Sequence, residues 1–218
     1  SSVIRYNAAV VSLEQQSDGV DVAYAEGETR QTIQASRVIL TIPFTTLRDV
    51  EIRPALPSAK ATAIQTLPYF PATRLLIQTK TRFWHSEGLS ATSRSDQPAE
   101  TWDAAYDQPA DRGLLGMTVG GMLGRELAGL PSERSVARGV ELATETFGGL
   151  GDRFDKGVVC AWAAERWSRG AFAVFQPGQM SAITADIARP ERRIHFAGEH
   201  TSPWMGWMEG ALESGERV

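Results

Sequence analysis

Apolar and polar residues alternate with a period of two through the first part of the chain, from Val3 to Pro43. Val10, Ser12 and Glu14 alternate with Val11 and Leu13, and Val20, Val22 and Tyr24 repeat the pattern after the hairpin signal Asp18-Gly19. Glu26-Gly27 marks another turn, and the apolar run from Val38 to Ile42 stops at Pro43. The segment therefore predicts a small β-meander leading into a buried strand. Pro54-Ala55-Leu56-Pro57-Ser58 then holds the chain extended and marks a boundary, with Ser58 placed to cap a helix over Ala59 to Leu67.

Arg74 to Thr79 reads as the next strand, closed by Phe83-Trp84. From His85 to Arg112 periodicity fades into polar loops, including Ser93-Arg94-Ser95-Asp96, with short strands such as Trp102 to Tyr106. Leu114 to Val119 is another strand. Ser132 caps the clearest helix, in which Val136, Val140, Ala143 and Phe147 share one face and which Gly148-Gly149 stops. A strand over Gly157 to Trp162, a short helix over Met180 to Ile187 and a strand from Ile194 to Ala197 complete the pattern. No internal repeat or low-complexity segment interrupts it.

Composition narrows the function classes. With 218 residues, 42% hydrophobic and 22% charged, the chain is long enough for a packed core in one or two domains. A net charge of −4, a pI near 5.5 and scattered basic residues give no footprint for nucleic acid, which is not expected as a partner. No apolar run approaches a membrane span and the first residues lack a signal-peptide pattern, so no membrane contact and a cytoplasmic location are expected. Cys160 is the single cysteine, and its apolar neighbours predict a buried, inert thiol. Redox chemistry here requires a cofactor. His85, His195 and His200 are too dispersed for a recognisable metal spacing, so no metal is expected, and no GxSxG nucleophile motif occurs.

The rest of the pattern is organised around residues 195–215, which run from a short strand through Gly198-Glu199 and an aromatic loop into a helix with Met208, Ala211 and Leu212 at helical spacing. A strand, a tight turn and a free helix N-terminus can present backbone N–H groups to an electron-rich ligand edge, although turn-forming glycines alone account for the same spacing. The residue string FAGEHTS followed by GWMEGALESGERV resembles the C-terminal flavin-binding signature of the flavin-containing amine oxidases, the family of monoamine, polyamine and L-amino-acid oxidases.

That resemblance implies a mixed α/β (α+β) chain. Residues 1–53 would be an FAD-domain meander, 54–190 a substrate domain with a mixed sheet and helices, and 191–218 a C-terminal FAD-binding strand and helix. The chain would be the C-terminal part of a longer protein, since no glycine-rich dinucleotide fingerprint follows any strand, and its partner would be the N-terminal remainder of the FAD-binding domain.

For the site, the resemblance implies that Phe172 and Trp207 face each other before the flavin as an aromatic cage that orients the amine, where many relatives carry tyrosine. Arg74 stands where the family usually has a lysine that holds a water near flavin N5, and the exchange is not conservative. Val10, Trp162, Gly198, Glu199, Gly206, Trp207 and Met208 fall at cofactor-binding positions, with Glu199 near the ribityl chain and the backbone at Trp207-Met208 near the pyrimidine end. A core valine is equally compatible with the sequence at Val10, and a carboxylate-paired arginine at a strand edge (Arg74) and a satisfied turn carboxylate (Glu199) are the alternatives at the other two positions. Ala171 replaces the cysteine that binds the flavin covalently in animal monoamine oxidases, so non-covalent FAD is expected.

The implied reaction is hydride transfer from the carbon beside a small-molecule amine to flavin N5, with O2 as acceptor. An aldehyde or keto acid and H2O2 would result. A related desaturase or porphyrinogen-type oxidase, and a non-catalytic fragment that needs a partner chain to hold FAD, are the alternative functions.

Overall fold

The period-two segment folds as the meander its pattern encodes. Strands β1 (Ala8–Gln15), β2 (Val20–Glu26) and β3 (Thr29–Ala35) pair antiparallel, with Gln15 opposite Val20 and Glu26 opposite Thr29 across the tight turns. Leu13, Val20, Val22 and Tyr24 face the core, as alternation requires. Strand β4 (Val38–Leu40) leaves this sheet and is followed by a buried helical turn, α1 (Phe44–Leu47). A strand with no clear period, β5 (Glu51–Arg53), then joins β1 in parallel to complete a four-stranded sheet in the order β3-β2-β1-β5.

The computed structural model describes residues 3–94, 96–97, 99–109 and 111–218. The chain divides into two compact units, Ser1–Tyr69 with Phe172–Val218, and Phe70–Ala171. In the first, α2 (Ser58–Thr66) packs with α7 (Gln179–Ile187), and β4 pairs in parallel with β11 (Ile194–Phe196) ahead of α8 (Met208–Arg217). Leu13, Phe44, Leu67, Ile187, Ile194 and Phe196 centre its core.

The second unit is built on one antiparallel five-stranded sheet. Its strands are β6 (Thr73–Thr79), β7 (Ser93–Arg94), β8 (Ala99–Asp103), β9 (Gly113–Val119) and β10 (Phe154–Ala161), in the order β10-β6-β9-β8-β7. Around it lie α3 (Phe83–Ser86), α4 (Gly121–Ala128), α5 (Ser132–Thr146) and α6 (Leu150–Arg153). Helix α5 comes so close to the sheet that a Cβ at Gly139 would lie 2.5 Å from the Leu75 side chain. The mixed α/β class matches the expectation from sequence.

Several details differ from the sequence reading. The units part at Tyr69/Phe70 and Ala171/Phe172, whereas the sequence boundaries fell at 53/54 and 190/191, because α2 and α7 bury their faces in the first unit's core. Ser58 and Ser132 are first helical residues rather than caps. Pro57 and Pro131 take the cap positions, their rings holding φ at −51° and −54° while ψ stays extended at 145° and 143°. The strand from Trp102 stops at Asp103, whose Oδ1 accepts the Ala105 N–H at 2.9 Å and turns the chain before Tyr106. Within the polar run 93–96, Ser93–Arg94 forms β7, and Ser95 lies outside the described residues. Cys160 is exposed, not buried: β10 is an edge strand and alternate residues, Val158 among them, point outward.

Trp102 lies over its register partner Gly116, where an added Cβ would come 2.2 Å from the indole. Gly116→Val is therefore expected to displace the ring and lower stability by about 1–3 kcal/mol, read from urea unfolding. An unchanged midpoint would show that the ring yields without strain.

Candidate functional site

In the first unit, strand β11 delivers the chain into a sharp turn at Gly198, which a 3-10 turn over Glu199–Thr201 continues. Gly198 has φ 119°, a region that favours glycine, and a Cβ there would meet the His200 ring at 2.6 Å. Its N–H donates to the Ser214 hydroxyl at 2.8 Å, and that hydroxyl donates to the Ala211 carbonyl at 2.7 Å. Ser214 is fully buried, so this bond fixes the turn against the middle of α8.

The loop into α8 is equally constrained. Gly206 has φ 84° and a Cβ on it would lie 3.2 Å from the Phe172 ring, so the backbone runs directly beside that side chain. Gly210 allows the Trp204 carbonyl to approach within 2.3 Å of where a Cβ would stand. Helix α8 starts at Met208 with no side-chain cap on its first turn. Its apolar residues Met208 and Leu212 are 81% and 69% exposed, as is Trp207 at 68%, while Gly210 and Ser214 form the inner face. The stripe read from helical spacing thus points outward.

Glu199 sits half-buried between two turns. One carboxylate oxygen accepts the Ala173 N–H at 3.1 Å and the other the Gly206 N–H at 2.5 Å. Burial pushes its carboxyl above the usual range, and the two backbone bonds oppose that shift. Its place in the turn is the satisfied carboxylate that the residues alone allowed.

Beneath the turn lies a cluster that the sequence did not flag. His200 is buried, edge-on to Phe44 at 4.5 Å, and its Nε2 has no hydrogen-bond partner. Burial, with Lys60 adding repulsion, lowers its pKa to about 4. Lys60 is itself fully buried, donating to the carbonyls of Ile187 at 3.1 Å and Arg189 at 2.7 Å, with its Nζ 3.9 Å from the centre of the Phe196 ring. Desolvation lowers its pKa to about 8. The Tyr69 hydroxyl accepts the Phe44 N–H at 3.0 Å. The only hint in sequence was a lysine set among alanines and an isoleucine in α2.

The remaining positions named from sequence divide between the units. Val10, 36% exposed, lies on β1 beside a bulge in its pairing with β2, in the same unit as Phe172, Gly198, Glu199, Gly206, Trp207 and Met208. Arg74 and Trp162 belong to the other unit. Arg74 projects from β6, an interior strand rather than an edge, and its guanidinium stacks on Trp102 at 5.3 Å from the ring centre. Trp162 follows β10, its N–H donating to the Ala72 carbonyl and its carbonyl accepting from Gly170. Among the described residues no group of three or more His, Cys, Asp or Glu side chains is placed to hold a metal ion, and no helix is long and apolar enough to cross a membrane.

A strand, a glycine turn and an uncapped helix that exposes aromatic and thioether side chains thus lie together in the first unit, and comparison with known proteins gives the chain a family. Residues 1–218 match the flavin containing amine oxidoreductase family. A putative L-amino-acid oxidase of Bacillus subtilis is 31% identical over 99% of this chain and 47% of its own length. The flavin-containing amine oxidase A of Bos taurus is 28% identical over 99% of this chain and 41% of its own. Among solved structures, a variant of putrescine oxidase superposes with a TM-score of 0.85 at 25% identity, over 97% of this chain and 47% of that one. The chain belongs to the flavin-containing amine oxidoreductase family, and a flavin cofactor is what that family implies. It spans about half the length of the curated relatives it matches.

The buried imidazole makes an acid-stability prediction. His200 stays neutral in the fold down to about pH 4, whereas an unfolded histidine takes up a proton near its usual 6.5, so the unfolded state gains protons across that window and stability falls as pH falls through it. Glu199, raised by burial, acts in the opposite sense above its ordinary value. The His200 contribution between pH 7 and 5 is expected to be a loss of about 1–2 kcal/mol. Urea midpoints at the two pH values should show a shallower slope for His200→Gln than for the native chain; equal slopes would assign the acid sensitivity elsewhere.

Proposed function

We propose that this chain is the C-terminal part of an FAD-dependent oxidase of amines or amino acids. The observation that supports it most directly is the uncapped start of α8, set between Gly206 and the exposed Trp207 and Met208 and tied by Glu199 to the turn that follows Phe172. First-turn N–H groups and the positive end of the helix suit an electron-rich heterocycle edge, and the exposed aromatic and thioether groups suit its flat face.

In this proposal Gly198, Glu199, Gly206, Trp207 and Met208 hold the isoalloxazine and ribityl portions of FAD, and Val10 meets the adenine. Trp162 and Arg74 take the cofactor and water-holding roles that the family resemblance assigns to their positions. When bound, the flavin supplies the two-electron acceptor. The chain's own residues do the rest: Phe172 and Trp207 restrict the amine to one orientation and exclude water, and the α8 N-terminus stabilises negative charge on the ligand edge. Ala171 has no sulfur with which to form a thioether, which supports non-covalent FAD. No glycine-rich dinucleotide fingerprint occurs in these residues, so pyrophosphate contacts are assigned to another segment, and the isolated chain is proposed not to turn over alone.

The decisive experiment is anaerobic mixing of the full-length flavoprotein with monoamines, polyamines and L-amino acids, following flavin bleaching. Trp207→Ala is expected to keep its flavin and fold but lose on the order of 10²-fold in the rate of reduction, with Phe172→Tyr nearly neutral. A Trp207→Ala protein that unfolds or drops its flavin, while Phe172→Ala reduces normally, would return both rings to packing.

Arg74→Met tests the second unit's contribution. Loss of one positioned polar contact is expected to slow a flavin half-reaction by about tenfold or more. Unchanged rates would leave Arg74 as a partner of Trp102 alone.

A further inference from the structure

We propose that Glu199, beyond the ribityl proximity proposed above, is a positioning residue whose carboxylate clamps the turn carrying Phe172 to the turn carrying Trp207, and so sets the spacing and angle of the two rings. The inference rests on the oxidase reading above for its catalytic consequence, but the clamp itself is a property of this chain.

Three observations place the clamp. Glu199 Oε1 accepts from Ala173 N, the residue directly after Phe172, and Oε2 accepts from Gly206 N, the residue directly before Trp207. Each oxygen serves a different turn, so the carboxylate is the shared node of two segments far apart in sequence. Second, those turns already touch: the Gly206 backbone runs beside the Phe172 ring, and a Cβ there would stand 3.2 Å from it. Third, each turn is anchored separately by backbone contacts of its own, so the Glu199 carboxylate joins one to the other. Ala173 bridges to Tyr69 and Val174 N donates to the Pro68 carbonyl, while Trp207 N donates to the Trp204 carbonyl.

Chemistry explains why an ionised acid serves here. A carboxylate offers two equivalent acceptor oxygens and no donor, so it can take one N–H from each side, and charge strengthens both bonds. The amide of glutamine is isosteric but offers one oxygen and one NH2, so one of the two backbone N–H groups would face another donor. Gln is therefore expected to fill the space and fail the clamp. A role in simple packing would be rescued by it.

Hydrogen exchange of the 218-residue chain tests the clamp without any cofactor. In Glu199→Gln and Glu199→Ala, the Ala173 and Gly206 amides are both expected to exchange about tenfold faster or more, while β2 amides such as Val22 keep native protection and report an intact fold. Acceleration at one turn only, or at neither, overturns the proposal, as does full rescue by Gln. In the full-length flavoprotein the same Gln variant is expected to lower the limiting rate of amine-dependent flavin reduction by about tenfold with little change in apparent substrate affinity. Loosened amides with an unchanged limiting rate would overturn the positioning role. A native flavoprotein that no amine or amino acid bleaches would instead sink the oxidase reading, and the exchange measurement alone would then decide the clamp.

Discussion

The hydroxyl of Ser214 is the contact on which the rest of the first unit's site depends. It is buried completely, accepts the Gly198 N–H and donates to the Ala211 carbonyl, so it satisfies a turn amide that has no strand partner and fastens the turn to α8. The carboxylate of Glu199, the aromatic loop and the first turn of the helix follow from there, and Arg217 near the end of α8 reinforces the tie by donating to the Thr201 carbonyl and hydroxyl. Gly210 makes the arrangement possible from the other side, since any larger residue would strike the Trp204 carbonyl. A helix with small residues inward and large apolar residues outward is the reverse of a surface helix, and it follows directly from two loops being packed against its inner face.

Most of the meander was legible because alternation and tight-turn residues are local signals. Asp18-Gly19 and Glu26-Gly27 fixed both hairpins, and the helix at 132–146 followed from a single apolar face. What escaped was long-range. Strand β5 carries no period of its own and exists because it lies parallel to β1, and β4 joins β11 across most of the chain. The helix caps were misplaced by one residue because a serine side chain is the usual signal, and here a preceding proline supplies the geometry instead. Cys160 was read as buried from apolar neighbours, but neighbours along an edge strand alternate between core and solvent.

The residue string FAGEHTS and GWMEGALESGERV identified the family, because a long specific string carries information that periodicity does not. The supporting cluster of Phe44, Lys60, Tyr69 and His200 was invisible for the opposite reason. Its members come from four separate places along the chain, and each is unremarkable alone. Together they form an apolar floor that contains one charged amine and one unpartnered imidazole nitrogen, which only tertiary packing could assemble.

The exposed thiol on β10 has a practical side. Cys160 is the single cysteine in the sequence, it lies on the outward face of an edge strand, and its register partner on the neighbouring strand is Arg74. These 218 residues thus carry one native attachment point for a maleimide-linked spin label or fluorophore, three strands from that of Trp102 and across the ladder from the guanidinium that rests on its ring. A reporter placed there would sense rearrangement of the Arg74 side chain.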